Sequence, residues 1–151
     1  MTPKQVDTEV RIVYDRPGFD TAHRHHVRSR MEAKVCDWLM AHGVAHRHAS
    51  EVFTVPTGPG KVPTLYVPDI VLHDRTSDGR VIIIEPRQVN VPKAGGTRLL
   101  AAFRRLMKKR YSVIVVARKA DFKNIVRGSY DALVDIETLD TLARRIPLPG
   151  E

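Results

Sequence analysis

Apolar residues recur along the chain with two different periods. From Ser29 to Gly43 they fall at Met31, Val35, Trp38 and Leu39, the spacing that gathers a stripe on one face of a helix. Ser29 and Glu32 stand in the S-x-x-E order of a capping box, and Gly43 is placed to end the helix. The same period returns over Thr97 to Arg110, with Leu99, Leu100, Phe103, Leu106 and Met107 on one side. It returns again over Glu137 to Ile146, with Leu139, Leu142, Ala143 and Ile146 inward. Elsewhere the pattern is that of strands. Glu9 to Tyr14 alternates polar and apolar, His42 to His48 and Ser50 to Val55 lead into a second strand, and Leu65–Leu72, Val81–Glu85 and Ser112–Ala117 are β-branched and apolar. A last short strand lies within Gly128 to Ile136, and Arg118 to Lys123 is a short helical or loop segment.

Breakers fall between these elements. Asp15–Asp20 is a turn, Pro56–Pro63 has the Pro/Gly density of an exposed loop, and Val89–Gly96 is another loop. Asp78-Gly79 suits the hairpin between Leu65–Leu72 and Val81–Glu85. Ile82-Ile83-Ile84 is apolar on both faces, which predicts a strand covered from both sides. The order β–α–β–β–β–α–β–(α)–β–α predicts one α/β sandwich over 1–151, a mixed central sheet flanked by helices, with flexible tails at 1–8 and 147–151.

Composition narrows the function classes. The 151 residues are 42% hydrophobic and 28% charged, ordinary for a globular domain. No apolar run is long enough to span a membrane and no signal-peptide core is present, so a cytoplasmic protein is expected. Cys36 is the one cysteine, which rules out an internal disulfide. In the middle of a helix beside Trp38, it reads with Trp38 as core. The net charge of +8 points to a polyanion, most simply nucleic acid. Arg98, Arg104, Arg105, Lys108, Lys109 and Arg110 crowd one helix with no acid among them, so an external phosphate backbone is the expected partner. Arg28 and Arg30 belong to a His/Arg-rich arm that reads the same way. His23, His25 and His26 are possible metal ligands, but no second cluster at ligand spacing accompanies them, and they read as a solvated loop.

Two carboxylates interrupt the apolar hairpin. A turn centred near Ser77 sets Asp69 opposite Glu85, with Cβ atoms only ~5 Å apart. Two such charges repel unless a cation lies between them, and Mg²⁺ or Mn²⁺ is the hard ion suited to oxygen ligands. Pro86 removes a ladder donor, so the strand is expected to end, bulge or lie at an edge there. A structural Glu85–Arg87 ion pair is the plain alternative. There is no G-x-S-x-G elbow, no G-x-x-x-x-G-K-[ST] loop and no G-x-G-x-x-G turn, which sets aside serine hydrolysis, nucleotide hydrolysis and dinucleotide binding.

Pro68-Asp69, followed by a strand ending Glu85-x-Arg87, resembles the signature of the P-D…(D/E)-x-K nuclease superfamily, over roughly residues 28–118 in element order. That superfamily includes restriction enzymes, Holliday-junction resolvases and transposon-end-cutting subunits. The resemblance implies a restriction-endonuclease-like fold and Mg²⁺- or Mn²⁺-dependent hydrolysis of nucleic acid, with DNA favoured over RNA. It implies metal ligation by Asp69 and Glu85, with Glu32 directly or through water, and a possible homodimer. Glu32 is also explained as a helix cap, and both roles stay open. The family's lysine position holds Arg87, which cannot act as a base but can stabilise transition-state charge. Gln88 or Lys93 is then the candidate for orienting water. Arg87 and Pro86 also fit a second reading, a nucleic-acid-binding module on the nuclease fold that has lost catalysis.

Overall fold

The computed structural model describes residues 19–20, 25–88 and 96–150. The expected strand Glu9–Tyr14, the tail 1–8, His23 and the segment 89–95 with Lys93 lie outside them.

Helix α1 (Arg30–Ala41) begins where the Ser29 hydroxyl accepts the Glu32 N–H at 3.0 Å and the Ser29 backbone is extended. It ends at His42, after which Gly43 takes φ 70°, a conformation that favours glycine. Strands β6 (Ile70–Arg75) and β7 (Val81–Pro86) form the expected hairpin. Ile70 pairs with Ile84 and Val71 with Ile83, then a bulge shifts the register so that Arg75 meets Val81. Gly79, at φ 88°, closes the turn by donating to the Thr76 carbonyl at 2.9 Å.

This hairpin is the middle of a mixed five-stranded sheet. β3 (His46–His48) pairs antiparallel with β6, and β8 (Tyr111–Ala117) runs parallel to β7. β9 (Ala132–Asp135) runs parallel to β8, so the order is β3–β6–β7–β8–β9. Alternation along the strands divides the core. Ile70, Leu72, Ile82, Ile84, Ile114 and Val116 pack with α1, while Val71, Ile83, Val113 and Val115 pack with α2 (Gly96–Met107). Ile82, Ile83 and Ile84 are all fully buried, as a strand covered on both faces requires. The described residues also form two short antiparallel pairs, β1 (Phe19–Asp20) with β2 (His26–Val27) and β4 (Phe53–Val55) with β5 (Thr64–Tyr66), and a 3₁₀ turn at Lys119–Asn124.

Several boundaries differ from expectation. Leu65–Leu72 is not one strand: β5 stops at Tyr66 and β6 starts at Ile70. Pro68 offers no N–H to a ladder, and the chain changes sheets there. α2 stops at Met107, leaving Lys108, Lys109 and Arg110 beyond it, and Leu106 is 46% exposed rather than inward. The final helix is a 3₁₀ segment (Ile136–Arg144) kinked at Thr138. Ile136 and Leu142 still pack into the core with Leu139 against it, so the apolar face survives the change of helix type despite the kink. Trp38 is half-buried and packs against the core from its edge, stacked on His42 at 3.8 Å and donating to Asp140 Oδ1 at 2.9 Å. Leu148 packs against the core, so the expected C-terminal tail is docked there. No helix among the described residues is long and apolar enough to cross a membrane.

Candidate functional site

The change of sheets at Pro68 positions the acidic residues. Ile70 opposite Ile84 is the last β6–β7 pair, so Asp69 and Glu85 leave the ladder together at one end of the hairpin. The Asp69 N–H donates to Glu85 Oε2 at 3.0 Å, and the Tyr66 hydroxyl donates to the same oxygen at 2.5 Å. Burial, then the charge of Glu85, raises the Tyr66 phenol well above its ordinary range, so it remains a donor. Arg87 Nη2 lies 3.1 Å from Glu85 Oε1, and both side chains are buried. β7 ends at Pro86, as expected. The Arg87 N–H donates to Val116 O at 2.8 Å, so the missing donor of Pro86 faces the β6 side, beyond the last pair. Ala49 donates to the Asp69 carbonyl at 3.0 Å and holds φ 46°, a conformation that costs a non-glycine residue energy.

Glu32 brings a third carboxylate from α1, 3% exposed. Half of the capping box is present. Ser29 caps the Glu32 N–H, but Glu32 Oε1 accepts from Arg28 N–H at 3.2 Å instead of from Ser29. Its other oxygen, Oε2, lies 2.8 Å from His48 Nδ1. Burial raises the Glu32 carboxyl above its ordinary value; the His48 hydrogen bond opposes this and the charge of Asp69 adds to it. Asp69 and Glu32 therefore act on one another electrostatically. Gln88 follows Arg87 and is half-buried.

The basic residues divide. Arg30, Arg98, Arg105, Lys108 and Lys109 are exposed and Arg28 is half-buried. Arg104 is not available to an outside anion as the sequence suggested: its Nη2 lies 2.8 Å from Asp131 Oδ1, an acid distant in sequence. An open groove of about 870 Å³ lies at the opposite end of β7 from Glu85. Its lining includes Arg47, Arg75, Val81, Lys109, Arg110 and Tyr111.

The sequence reading missed a constellation beside Glu32. Cys36 Sγ is 3.4 Å from His25 Nδ1 and 3.3 Å from His46 Nε2, and His48 Nε2 is 3.2 Å from His25 Nδ1. All four ligand atoms lie within 4.8 Å of one another. Cys36 is buried as expected, yet its neighbours are imidazoles as well as core. The signal was the spacing His46-x-His48, which a strand projects onto one face, read together with His25 and Cys36. Burial depresses the His46 imidazole to about 4.

Comparison of the chain with family models, curated proteins and solved structures finds no match.

Proposed function

We propose that the chain is a Mg²⁺- or Mn²⁺-dependent endonuclease of the P-D…(D/E)-x-K type on a restriction-endonuclease-like sandwich, with DNA as the favoured substrate. The observation that carries this reading is that Asp69 and Glu85 lie together where β6 and β7 part, the Asp69 backbone N–H donating to Glu85 Oε2 at 3.0 Å. The donor set is entirely carboxylate oxygen, which suits a hard divalent ion. Burial is the main cause of the raised Glu32 carboxyl, and the charge of Asp69 adds to it, a contribution that a divalent ion would offset.

Asp69 and Glu85 are the direct ligands in this reading. Glu32, already engaged with Arg28 N–H and His48, supplies field and positioning. A metal held there would polarise the scissile phosphate and lower the pKa of a bound water. Arg87 stays protonated and neutralises charge, so it is not the base. Exposed Arg98, Arg105, Lys108 and Lys109 would meet phosphates.

One observation favours a second reading, a catalytically degenerate binding module: Glu85 already has a buried counter-ion in Arg87 at 3.1 Å. Labelled linear, nicked and four-way DNA, incubated with and without Mn²⁺, separates the two. The nuclease reading expects Mn²⁺-dependent cleavage that Asp69→Asn abolishes while DNA binding persists. Full cleavage by Asp69→Asn refutes the site; binding without cleavage by the native protein leaves the binding module.

A further inference from the structure

We propose that His25, Cys36, His46 and His48 bind a structural Zn²⁺ ion, at a site distinct from the carboxylates of Asp69 and Glu85 that shares with the nuclease reading only the outer contact of Glu32. A tetrahedron with Zn–S of ~2.3 Å and Zn–N of ~2.0–2.1 Å has edges of ~3.3–3.6 Å. Three edges of the cluster already measure 3.4, 3.3 and 3.2 Å. The widest separation is no more than 4.8 Å, and drawing it in to such an edge takes a side-chain shift of at most ~1.2–1.5 Å. One thiolate and three imidazoles at tetrahedral spacing suit zinc and disfavour the hard ions Mg²⁺ and Ca²⁺. Four protein ligands with no open position make the site structural rather than catalytic.

The surroundings fix which nitrogens face inward. His46 Nδ1 lies 2.9 Å from the Val44 carbonyl, an acceptor only, so that nitrogen carries the proton and Nε2 presents its lone pair to the cluster. His48 Nδ1 lies 2.8 Å from Glu32 Oε2, which fixes the same tautomer and leaves Nε2 facing inward. A carbonyl and a carboxylate behind the ligating histidines are the usual outer partners of a zinc site. Charge also balances. A divalent ion, the Cys36 thiolate and the Glu32 carboxylate sum to zero, which lowers the cost of enclosing them. The four ligands come from the segment before β2, from α1 and from β3. One ion would therefore clamp the helix and the arm to the edge of the sheet.

A cluster closed only by hydrogen bonds from the thiol and one imidazole is the competing arrangement, and cobalt distinguishes them. The full chain, stripped with chelator and titrated with Co²⁺, should give the intense visible bands of tetrahedral cobalt with a near-ultraviolet thiolate-to-cobalt band, both displaced by Zn²⁺. Cys36→Ser should lose the thiolate band. Glu32→Gln, which leaves all four ligands in place, should weaken Co²⁺ binding by ~10–100-fold. At free Zn²⁺ 100 times its Kd, the folded-to-unfolded ratio of the native chain should rise ~100-fold, read as a higher Tm. The proposal is overturned by an octahedral cobalt spectrum, by tetrahedral bands without a thiolate component, or by a Tm indifferent to Zn²⁺. None of these readouts depends on DNA cleavage, so failure here leaves the nuclease reading untouched.

Discussion

Removing the charge of Arg87 tests how the buried carboxylate of Glu85 is held. Glu85 is fully buried and Arg87 is 7% exposed, with 3.1 Å between Nη2 and Oε1. Stripping one partner from a buried ion pair costs ~3–5 kcal/mol, because the other charge is left without compensation. Glu85 keeps the Tyr66 hydroxyl and the Asp69 N–H, which places Arg87→Met near the lower bound, at about 3 kcal/mol. For a domain of 151 residues each kcal/mol moves Tm by ~2–4 °C, so a fall of about 6–12 °C is expected by circular dichroism. Glu85→Gln combined with Arg87→Met should recover most of it, since no buried charge is then left without its counter-ion. Added Mn²⁺ should raise the Tm of Arg87→Met more than that of the native chain, by occupying the carboxylates that the arginine had balanced. An Arg87→Met variant melting within about 2 °C of the native protein would show that Arg87 is not the counter-ion. A destabilised variant that ignores Mn²⁺ would instead favour the binding module over the nuclease.

Charge reversal to Glu at Arg98, Arg105, Lys108 and Lys109 should weaken DNA binding and flatten its log–log salt dependence by ~0.9 for each phosphate no longer neutralised; an unchanged slope takes this surface out of the interface. Arg104→Ala should cost only ~0.5–1 kcal/mol in urea unfolding, since its pair with Asp131 is partly exposed. Asp131→Ala should cost more, ~1–3 kcal/mol, because the Val113 N–H at 2.8 Å loses its acceptor; equal losses would contradict the assignment. Burial pushes the Asp131 carboxyl up, but Arg104 and the Val113 N–H outweigh it and hold the group below its ordinary 3.8. Its stabilisation is therefore complete above about pH 3.8 and lost as pH falls through the lower folded value, so Asp131→Asn should flatten the acid limb of Tm against pH.

What was legible in the sequence was whatever depends on local period or on a short hairpin. The apolar stripe and Ser29 cap of α1, and the Ile82–Ile84 strand buried on both faces, follow from spacing alone. That Asp69 and Glu85 share one end of the hairpin follows too, but the register there is not set by a turn near Ser77: Arg75 meets Val81, and a bulge between Val71 and Arg75 then sets Ile70 opposite Ile84. Long-range partners were not legible. Asp131, which neutralises Arg104, is 27 residues away, so the helix looked uncompensated when read by itself. Leu106 and the 3₁₀ character of Ile136–Arg144 depend on what each segment meets in the folded chain, which periodicity does not encode. The His/Cys cluster was invisible for the same reason. His25, Cys36 and His46-x-His48 belong to three elements, and only the packing of α1 beside β3 brings them together.

Glu32 is where the two candidate sites meet, and its geometry constrains both. The Arg28 N–H and His48 Nδ1 each hold one of its oxygens, so the carboxylate is oriented by the helix start on one side and by the cluster on the other. A cation that drew Glu32 fully toward Asp69 and Glu85 would have to break the His48 contact, and with it the tautomer that turns His48 Nε2 toward Cys36 and His25. Direct ligation of a catalytic ion by Glu32 and a well-ordered His/Cys site therefore oppose one another. They are compatible if Glu32 reaches such an ion through a water or through its field alone. Under the proposed nuclease reading, that division would leave Asp69 and Glu85 as the direct oxygen donors, and α1, if the cluster anchors it, would set how close a third negative charge approaches them.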